Sequence, residues 1–305
     1  MDNSLILAIL NLVDKNIVNT MIDNGFLNQD IKLCENKILD CFKKYKEIDS
    51  DFELPSLENI KKSIEESVKI LLESEKLGIK TTNIFNDDFP KKLKQIKDRS
   101  VLIFYKGDLN CLYEENSIAI IGTRTPTENG EKIGQALGYY YAKEGFTVVS
   151  GLANGCDTAG HKGCLKANGK TIATLPCGLD KCYPNDDNDL ANEIVAKGGC
   201  LISEYKIGTP ASSVNFIERD RLQAALSLGV AVVECAIECG TMHTVRFAEE
   251  YGKKVAVSIH KDVKSDIETV KGNLYLLENN RAVGLSDIND YKKYKNILLG
   301  YKIYR

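Results

Sequence analysis

The chain has 305 residues, a formal net charge of −3, and 43% hydrophobic and 27% charged residues. That composition suits one large globular domain, or a large and a small one, and excludes a polycation. A nucleic-acid site therefore has to be a local basic patch on a mildly acidic body. No apolar run approaches the roughly 18–20 residues of a membrane helix, and the one at residues 5–13 is broken by Asn11, so the cytoplasm is the expected location.

Residues 1–77 read as a small all-helical domain. Leu5, Ile6, Ala8, Ile9 and Val13 keep helical spacing, as do Ile17, Val18, Met21 and Ile22, and Asn24-Gly25 is a stop. Further helices are predicted over residues 29–45 and 57–77, the latter with Ser56 as N-cap. Lys43, Lys44, Lys46, Lys61 and Lys62 have acidic neighbours, which favours a solvated surface over a DNA face. Residues 78–305 form the second domain. After a connecting stretch with a strand at 101–105, apolar runs recur at 118–121, 146–149, 171–175, 200–203, 230–234 and 254–258, with helical stretches at 130–144, 158–167, 189–197, 217–228 and 241–251. A short strand at 274–277 and a polar helical tail from Asp287 follow. The runs are apolar throughout instead of alternating, as in strands covered on both faces. The fold class is α/β: an extended Rossmann-like, doubly wound, mostly parallel sheet preceded by the small helical module.

The candidate site lies at the C-terminal strand ends, where such sheets place ligands. Glycine-bearing turns stand at Gly122-Thr123-Arg124, Ser150-Gly151, Pro176-Cys177-Gly178 and Cys239-Gly240-Thr241. Each offers backbone N–H groups or a helix N-terminus to an anion, and Arg124 adds a charge. Together they point to a phosphate-bearing ligand. GxxxxGK[ST] and GxGxxG are absent, which argues against a P-loop ATPase and against NAD or FAD. Arg219 and Arg221 flank Asp220 at a predicted helix start, either as an ion-paired terminus or as bidentate phosphate contacts. Lys170, entering a strand, is equally open to a solvent or a phosphate reading. Asp157 and His161, four apart, are either an acid–base pair or a local helix-start hydrogen bond. The ten cysteines contain no CxxC, and Cys177/Cys182 and Cys235/Cys239 read as buried thiols. His161, His243 and His260 make no zinc signature. Neither a metal nor a cofactor is expected.

These residues resemble the DNA-processing protein A (DprA/Smf) family over about residues 78–285. The family's strand-Gly-Ser-Arg reads Gly122-Thr123-Arg124 here. Ser-Gly-Leu-Ala-x-Gly-Ile-Asp with a later His reads Ser150-Gly151-Leu152-Ala153-Asn154-Gly155-Cys156-Asp157 and His161. Gly169-Lys170-Thr171-Ile172-Ala173, Gly178-Leu179-Asp180, Tyr183-Pro184, Ser203-Glu204-Tyr205 and Phe216-Ile217-Glu218-Arg219-Asp220-Arg221 follow in family order. The resemblance implies a protein that binds single-stranded DNA, assists RecA-type recombinase loading in natural transformation and recombination, dimerises, and is not an enzyme. It implies phosphate contacts from Arg124 and Lys170, donors at Gly122, Thr123, Ser150, Gly151, Gly240 and Thr241, and a wall of Arg219 and Arg221. Tyr183, Tyr205 and Phe216 are available for base stacking. The helical module stands where many members carry a sterile-alpha-motif-like domain.

The chain departs from the family at Asp220 (Asn in the pattern), at Glu238-Cys239-Gly240-Thr241 (Ser-Gly-Ser) and at Ala256-Val257-Ser258-Ile259 (Ala-x-Pro-Gly). It reads as a divergent member lacking the C-terminal winged helix, for which a mobile-element or defence role is open. The alternative is a nucleotide-binding sensor or hydrolase resembling the lysine-decarboxylase-like (LOG) phosphoribohydrolases. Their catalytic Glu is Thr244 here, and Glu249 and Glu250 come too late to replace it. A scaffold without ligand would leave Arg124 in its glycine turn without a role.

Overall fold

The computed structural model describes residues 2–181, 188–260 and 267–303. The chain divides into two compact units, residues 1–105 with 204–207, and residues 106–203 with 208–305.

The first unit opens with helices α1 (Asn3–Leu10), α2 (Lys15–Asp23), α3 (Glu35–Lys46) and α4 (Leu57–Lys76). Asp2, Asp14 and Ser56 cap the first, second and fourth by accepting a backbone N–H near the helix start. Leu5, Ile9, Met21, Ile38, Phe42 and Ile60 are wholly buried and form its centre. The Ser63 hydroxyl donates to the Ala8 carbonyl at 2.7 Å, which lets α4 lie close against α1. Helix α4 ends at Lys76, next to the boundary expected after residue 77, and the compact unit continues past it to residue 105. Beyond it β1 (Lys80–Asn83) pairs antiparallel with β2 (Leu102–Gly107), with the one-turn helix α5 (Lys91–Lys94) between them. Lys206, in the segment 204–207, binds Asn11 at 2.8 Å and Glu66 at 2.9 Å.

The second unit contains β3 (Ser117–Ile121), α6 (Glu128–Lys143), β4 (Thr147–Ser150), α7 (Cys156–Lys166), β5 (Thr171–Thr174), α8 (Asn188–Ala196) and β6 (Cys200–Ser203). It continues with α9 (Ser213–Leu226), β7 (Gly229–Val232), α10 (Thr241–Glu250), β8 (Lys254–Ser258), α11 (Glu268–Glu278), β9 (Val283–Leu285) and α12 (Ile288–Ile303). Its strands lie in the order β6-β5-β4-β3-β7-β8-β9, every pair parallel. Successive strand residues point to opposite faces. Ile118 and Ile120 pack with Leu137, Tyr141, Cys164, Tyr294 and Leu298 of α6, α7 and α12. Ala119 and Ile121 pack with Ala224, Val245, Ala248 and Leu276 of α9, α10 and α11. Both faces are covered, which is why the strand interiors are apolar, while buried Ser and Thr such as Ser117, Ser150, Thr171 and Ser203 stand at strand ends.

Three predicted elements change. The helix expected over residues 29–45 begins at Glu35, as α3. Residues 274–277 belong to α11: Val270, Asn273 and Leu276 are buried at helical spacing while Leu274 is exposed. The strand follows instead at β9. Helix α9 begins at Ser213, capped by the Ser212 hydroxyl, so Arg219 and Arg221 stand in its middle and not at its start. No helix among the described residues is long and apolar enough to cross a membrane.

Candidate nucleic-acid interface

Sheet order fixes where a ligand can enter. From β3 the chain proceeds through β4, β5 and β6 to one side, then returns to β7 beside β3 and builds to the other side. The connections after β3 and β7 therefore diverge to opposite sides, leaving a crevice at their C-terminal ends. A cavity of about 410 Å³ opens there, lined by Gly122, Thr123, Arg124, Asp157, Phe216, Arg219, Asp220, Gln223, Cys239, Gly240, Thr241 and Thr244 among others.

The β3 side is held by backbone packing. The Thr123 N–H donates to the Glu234 carbonyl at 2.7 Å, and the Cys156 N–H to the Thr123 carbonyl at 3.1 Å. A Cβ at Gly122 would stand 2.6 Å from Cys156 Sγ and 2.7 Å from the Glu234 carbonyl, so only glycine fits. Gly155 has φ +83°, and a Cβ there would meet the Thr123 and Arg124 carbonyls. The wholly buried Glu234 side chain accepts the Thr127 N–H at 2.9 Å and the Thr127 hydroxyl at 2.5 Å. Thr127 in turn caps α6. Arg124 is thus an exposed cation on a fixed turn. Its guanidinium carbon lies over the Phe216 ring, 4.7 Å from the centroid. A cation held at the face of a ring keeps its in-plane N–H groups for an anion.

The α9 side is different. Arg219 is 4% exposed; its Nη1 donates to the Thr174 carbonyl at 2.9 Å and its Nε lies 3.3 Å from Asp220. Asp157 accepts the Gly151 N–H at 3.0 Å. Burial pushes the Asp157 carboxyl up, opposed by Arg219 and by backbone donors. Burial pushes Asp220 up to about 7; Arg219 and Arg124 oppose the rise and Asp157 adds to it. Two buried carboxyls therefore sit beside the one buried guanidinium that lines the cavity. Gln223 is 2% exposed; its amide donates to Asp220 at 3.3 Å. Residues two apart on a helix face away from each other, so Arg221 does not join Arg219. Its side chain is wholly buried and pairs with Glu218 at 3.5 Å.

The structure brings Gly122, Thr123, Arg124, Arg219, Gly240 and Thr241 to one cavity, with Gly151 immediately behind Arg219. It does not bring Ser150, Lys170 or Arg221 to the lining. The Ser150 hydroxyl donates to the Ile120 carbonyl at 2.6 Å. Lys170 precedes β5 at the opposite strand end, 3.8 Å from Asp108 and 3.9 Å from Glu114. The turn at Gly178 is likewise outside the lining; its N–H donates to the Thr209 carbonyl. Asp157 and His161 each have a different partner: His161 Nδ1 lies 2.7 Å from the Thr171 hydroxyl, and burial pushes its pKa down to about 3. Because that hydroxyl donates to the Val148 carbonyl, it accepts from Nδ1–H, and His161 is a neutral core residue. Of the aromatic candidates, Phe216 lines the cavity, Tyr205 belongs to the first unit, and Tyr183 lies outside the described residues. Glu238 is exposed and not in the lining. Thr244 is buried against the cavity, while Glu249 is bound by Arg281 at 2.8 Å through both oxygens.

Sequence reading missed Glu234 and Gln223 as parts of the site, and read Cys239 as a buried thiol where it is partly exposed at the lining. The signal for Glu234 was present: a carboxylate closing the run Val230–Val233 has to find donors where it is buried.

The family model for DNA recombination-mediator protein A matches residues 80–295, more than two thirds of the chain. Protein Smf of Synechocystis is 35% identical over 66% of this chain and 50% of its own length. DNA processing protein DprA of Bacillus subtilis is 34% identical over 61% of this chain and 63% of its own. The chain thus spans about half to two thirds of those relatives. Among solved structures, DprA of Streptococcus pneumoniae superposes with a TM-score of 0.76 at 26% identity, covering 95% of this chain and 96% of that one. DNA processing protein A of Helicobacter pylori, described for its single-stranded DNA binding mode, superposes with a TM-score of 0.63 at 31% identity over 72% of this chain and 96% of that one.

Proposed function

The chain belongs to the DNA recombination-mediator protein A family, and from that premise we propose that it binds single-stranded DNA through backbone phosphates at the β3/β7 crevice and hands the strand to a RecA-type recombinase. One observation carries the reading: Arg124, exposed on a glycine turn at the switch point, is backed by the Phe216 ring with its donor edge open. The N-terminus of α10 at Gly240-Thr241 lines the same cavity and supplies further N–H donors. Thr123 adds a hydroxyl. Such a site grips phosphates and reads no base edge, so it suits strands of any sequence. The reading is of a binding site and not of a catalytic one. A homodimer, as the family resemblance implies, would set two such sites along one strand.

The test is competition. Fluorescence anisotropy of labelled oligo-dT at low salt is followed while unlabelled single-stranded DNA, the matching duplex or a mononucleotide is added. Displacement by single strands at far lower concentration than by duplex or mononucleotide supports the reading. Displacement by mononucleotide at equal phosphate concentration favours the nucleotide-sensor alternative. Recombinase hand-off is measured separately, as a shorter lag before a RecA-type protein coats single-stranded DNA already covered by a single-strand-binding protein. An unchanged lag contradicts that part of the reading.

A further inference from the structure

Helix α4 has two different faces. Ile60, Ser63, Ser67, Ile70 and Ser74 form the buried one. The Ser63 hydroxyl donates to the Ala8 carbonyl, and the Ser67 hydroxyl accepts from the side chain of Asn11, the C-cap of α1. On another side of the helix run Leu57, Lys61, Ile64, Val68, Leu71 and Glu75, spaced alternately four and three apart. Leu72 adjoins that row. Leu57 is 48% exposed, Val68 38% and Leu72 55%, and Ile64 and Leu71 are half-buried. A row with this spacing is what a helix presents to a second helix, and a contiguous apolar strip left in water marks an interaction surface.

The charges on the row select its partner. Lys61 and Glu75 stand seven residues to either side of Val68, both exposed, and neither has an ion-pair partner among the described residues. Seven residues are two turns, so each charge lies about 10 Å along the axis from Val68. The other nearby carboxylates are engaged off the row: Glu66 with Lys206 at 2.9 Å and Glu73 with Lys69 at 4.0 Å. Beside a parallel copy of this helix, Lys61 would face Lys61 and Glu75 would face Glu75. Beside an antiparallel copy centred on Val68, Lys61 faces the partner's Glu75, Glu75 faces the partner's Lys61, and Ile64 faces the partner's Leu72. Nucleic acid suits the row poorly, because its middle is apolar and one end carries a carboxylate.

We propose that α4 is a self-association surface, through which two copies of this chain pair antiparallel about a two-fold axis at Val68. The apolar middle is covered by its own counterpart, and the two Lys61–Glu75 pairs close the ends and fix the direction. Such a contact is satisfied by two copies and does not propagate. It uses no residue of the phosphate cavity and stands independently of the DNA reading.

Val68→Cys in the intact chain tests the axis. On oxidation with diamide its thiol should join that of the second copy, giving a dimer on non-reducing gels that reductant reverses. Leu57→Cys lies eleven residues from the axis, so its two copies stand about 33 Å apart along the helices and should not join. Wild-type protein, with its own cysteines, is the baseline. Sedimentation without oxidant tests the charges. Lys61→Glu replaces two opposite-charge pairs by two like-charge ones and should raise the Kd of self-association about 10-fold, as should Glu75→Lys. The double variant restores both pairs with the charges exchanged and should return to within about two-fold of wild type. These side chains are exposed, so circular dichroism should show the same helix content throughout. A contact elsewhere on the chain would appear as an association step that none of these substitutions moves. Val68→Cys that joins no more than Leu57→Cys overturns the proposal and leaves the face to a different partner. Charge effects that add in the double variant, instead of cancelling, overturn the antiparallel pairing.

Discussion

The two walls of the cavity use arginine in opposite ways. On the β3 wall the fixing is done by backbone and by Glu234, and Arg124 is left exposed with an aromatic ring behind it. On the α9 wall Arg219 is itself buried and holds the Thr174 carbonyl beside two carboxyls. On the proposed reading the first arginine meets an incoming anion, whereas the second holds the site together. Residue type and sequence spacing did not distinguish them; burial and partners do. Removing each should therefore damage a different property.

The largest effect belongs to Arg219. Arg219→Ala leaves Asp157 and Asp220 buried without their cation, a loss of about 3–5 kcal/mol in denaturant-monitored stability. The sign with pH follows from Asp220, whose folded-state pKa is raised to about 7. Below that value its carboxyl is protonated and needs no cation; above it the charge is present. The gap between variant and wild type should widen as pH rises through about 7. A gap independent of pH would mean the arginine acts only by packing.

Arg124→Ala should spare the fold, with stability changed by no more than about 0.5 kcal/mol, as for an exposed side chain. Its affinity for single-stranded DNA should fall about 10-fold to 100-fold, the worth of one charge-assisted hydrogen-bonded contact. A stability loss as large as that of Arg219→Ala would erase the difference between the walls.

A smaller effect is expected of Asp220→Asn, which restores the residue of the family pattern. Wild-type affinity should weaken as pH rises through about 7, because Asp220 then acquires a negative charge in the anion cavity. The variant should bind a few-fold more tightly at pH 8 and show a flatter profile between pH 6 and 8, read by anisotropy. A wild-type profile without that inflection would place the carboxylate too far from bound phosphate to matter.

The smallest effect is assigned to Lys170→Ala. Lys170 lies at the far end of its strand against Asp108 and Glu114, and an exposed pair of this kind contributes little. Less than about a two-fold change in affinity is expected. A loss matching Arg124→Ala would show that the strand runs around the sheet edge to reach it.

The parallel strands were legible in the sequence because burial on both faces demands consecutive apolar residues in the strand interiors, and the βα alternation then dictates a doubly wound sheet. Strand β1 was not legible: Lys80-Thr-Thr-Asn83 is polar and pairs antiparallel with β2. Residues 274–277 misled because Leu-Tyr-Leu-Leu suits either period, and only the burial of Val270, Asn273 and Leu276 selects a helix. The turn carrying Arg124 was found because Gly122 has to be glycine. Arg221 was grouped with Arg219 because a helix start was placed four residues late, which hid that the two point apart. Asp157 stood in the same motif as Gly151, whose N–H it accepts, whereas Glu234 meets Thr127 from a distant segment, and no local pattern pairs those two.

The most direct measurement is the salt dependence of single-stranded DNA affinity for wild type and Arg124→Ala, over a range of ionic strength with folding verified. Each phosphate neutralised contributes about 0.7 to the slope of log affinity against log salt for single strands. The account predicts a slope shallower by about that amount in the variant, with Lys170→Ala unchanged. An equal slope for wild type and Arg124→Ala would contradict the claim that Arg124 meets a phosphate.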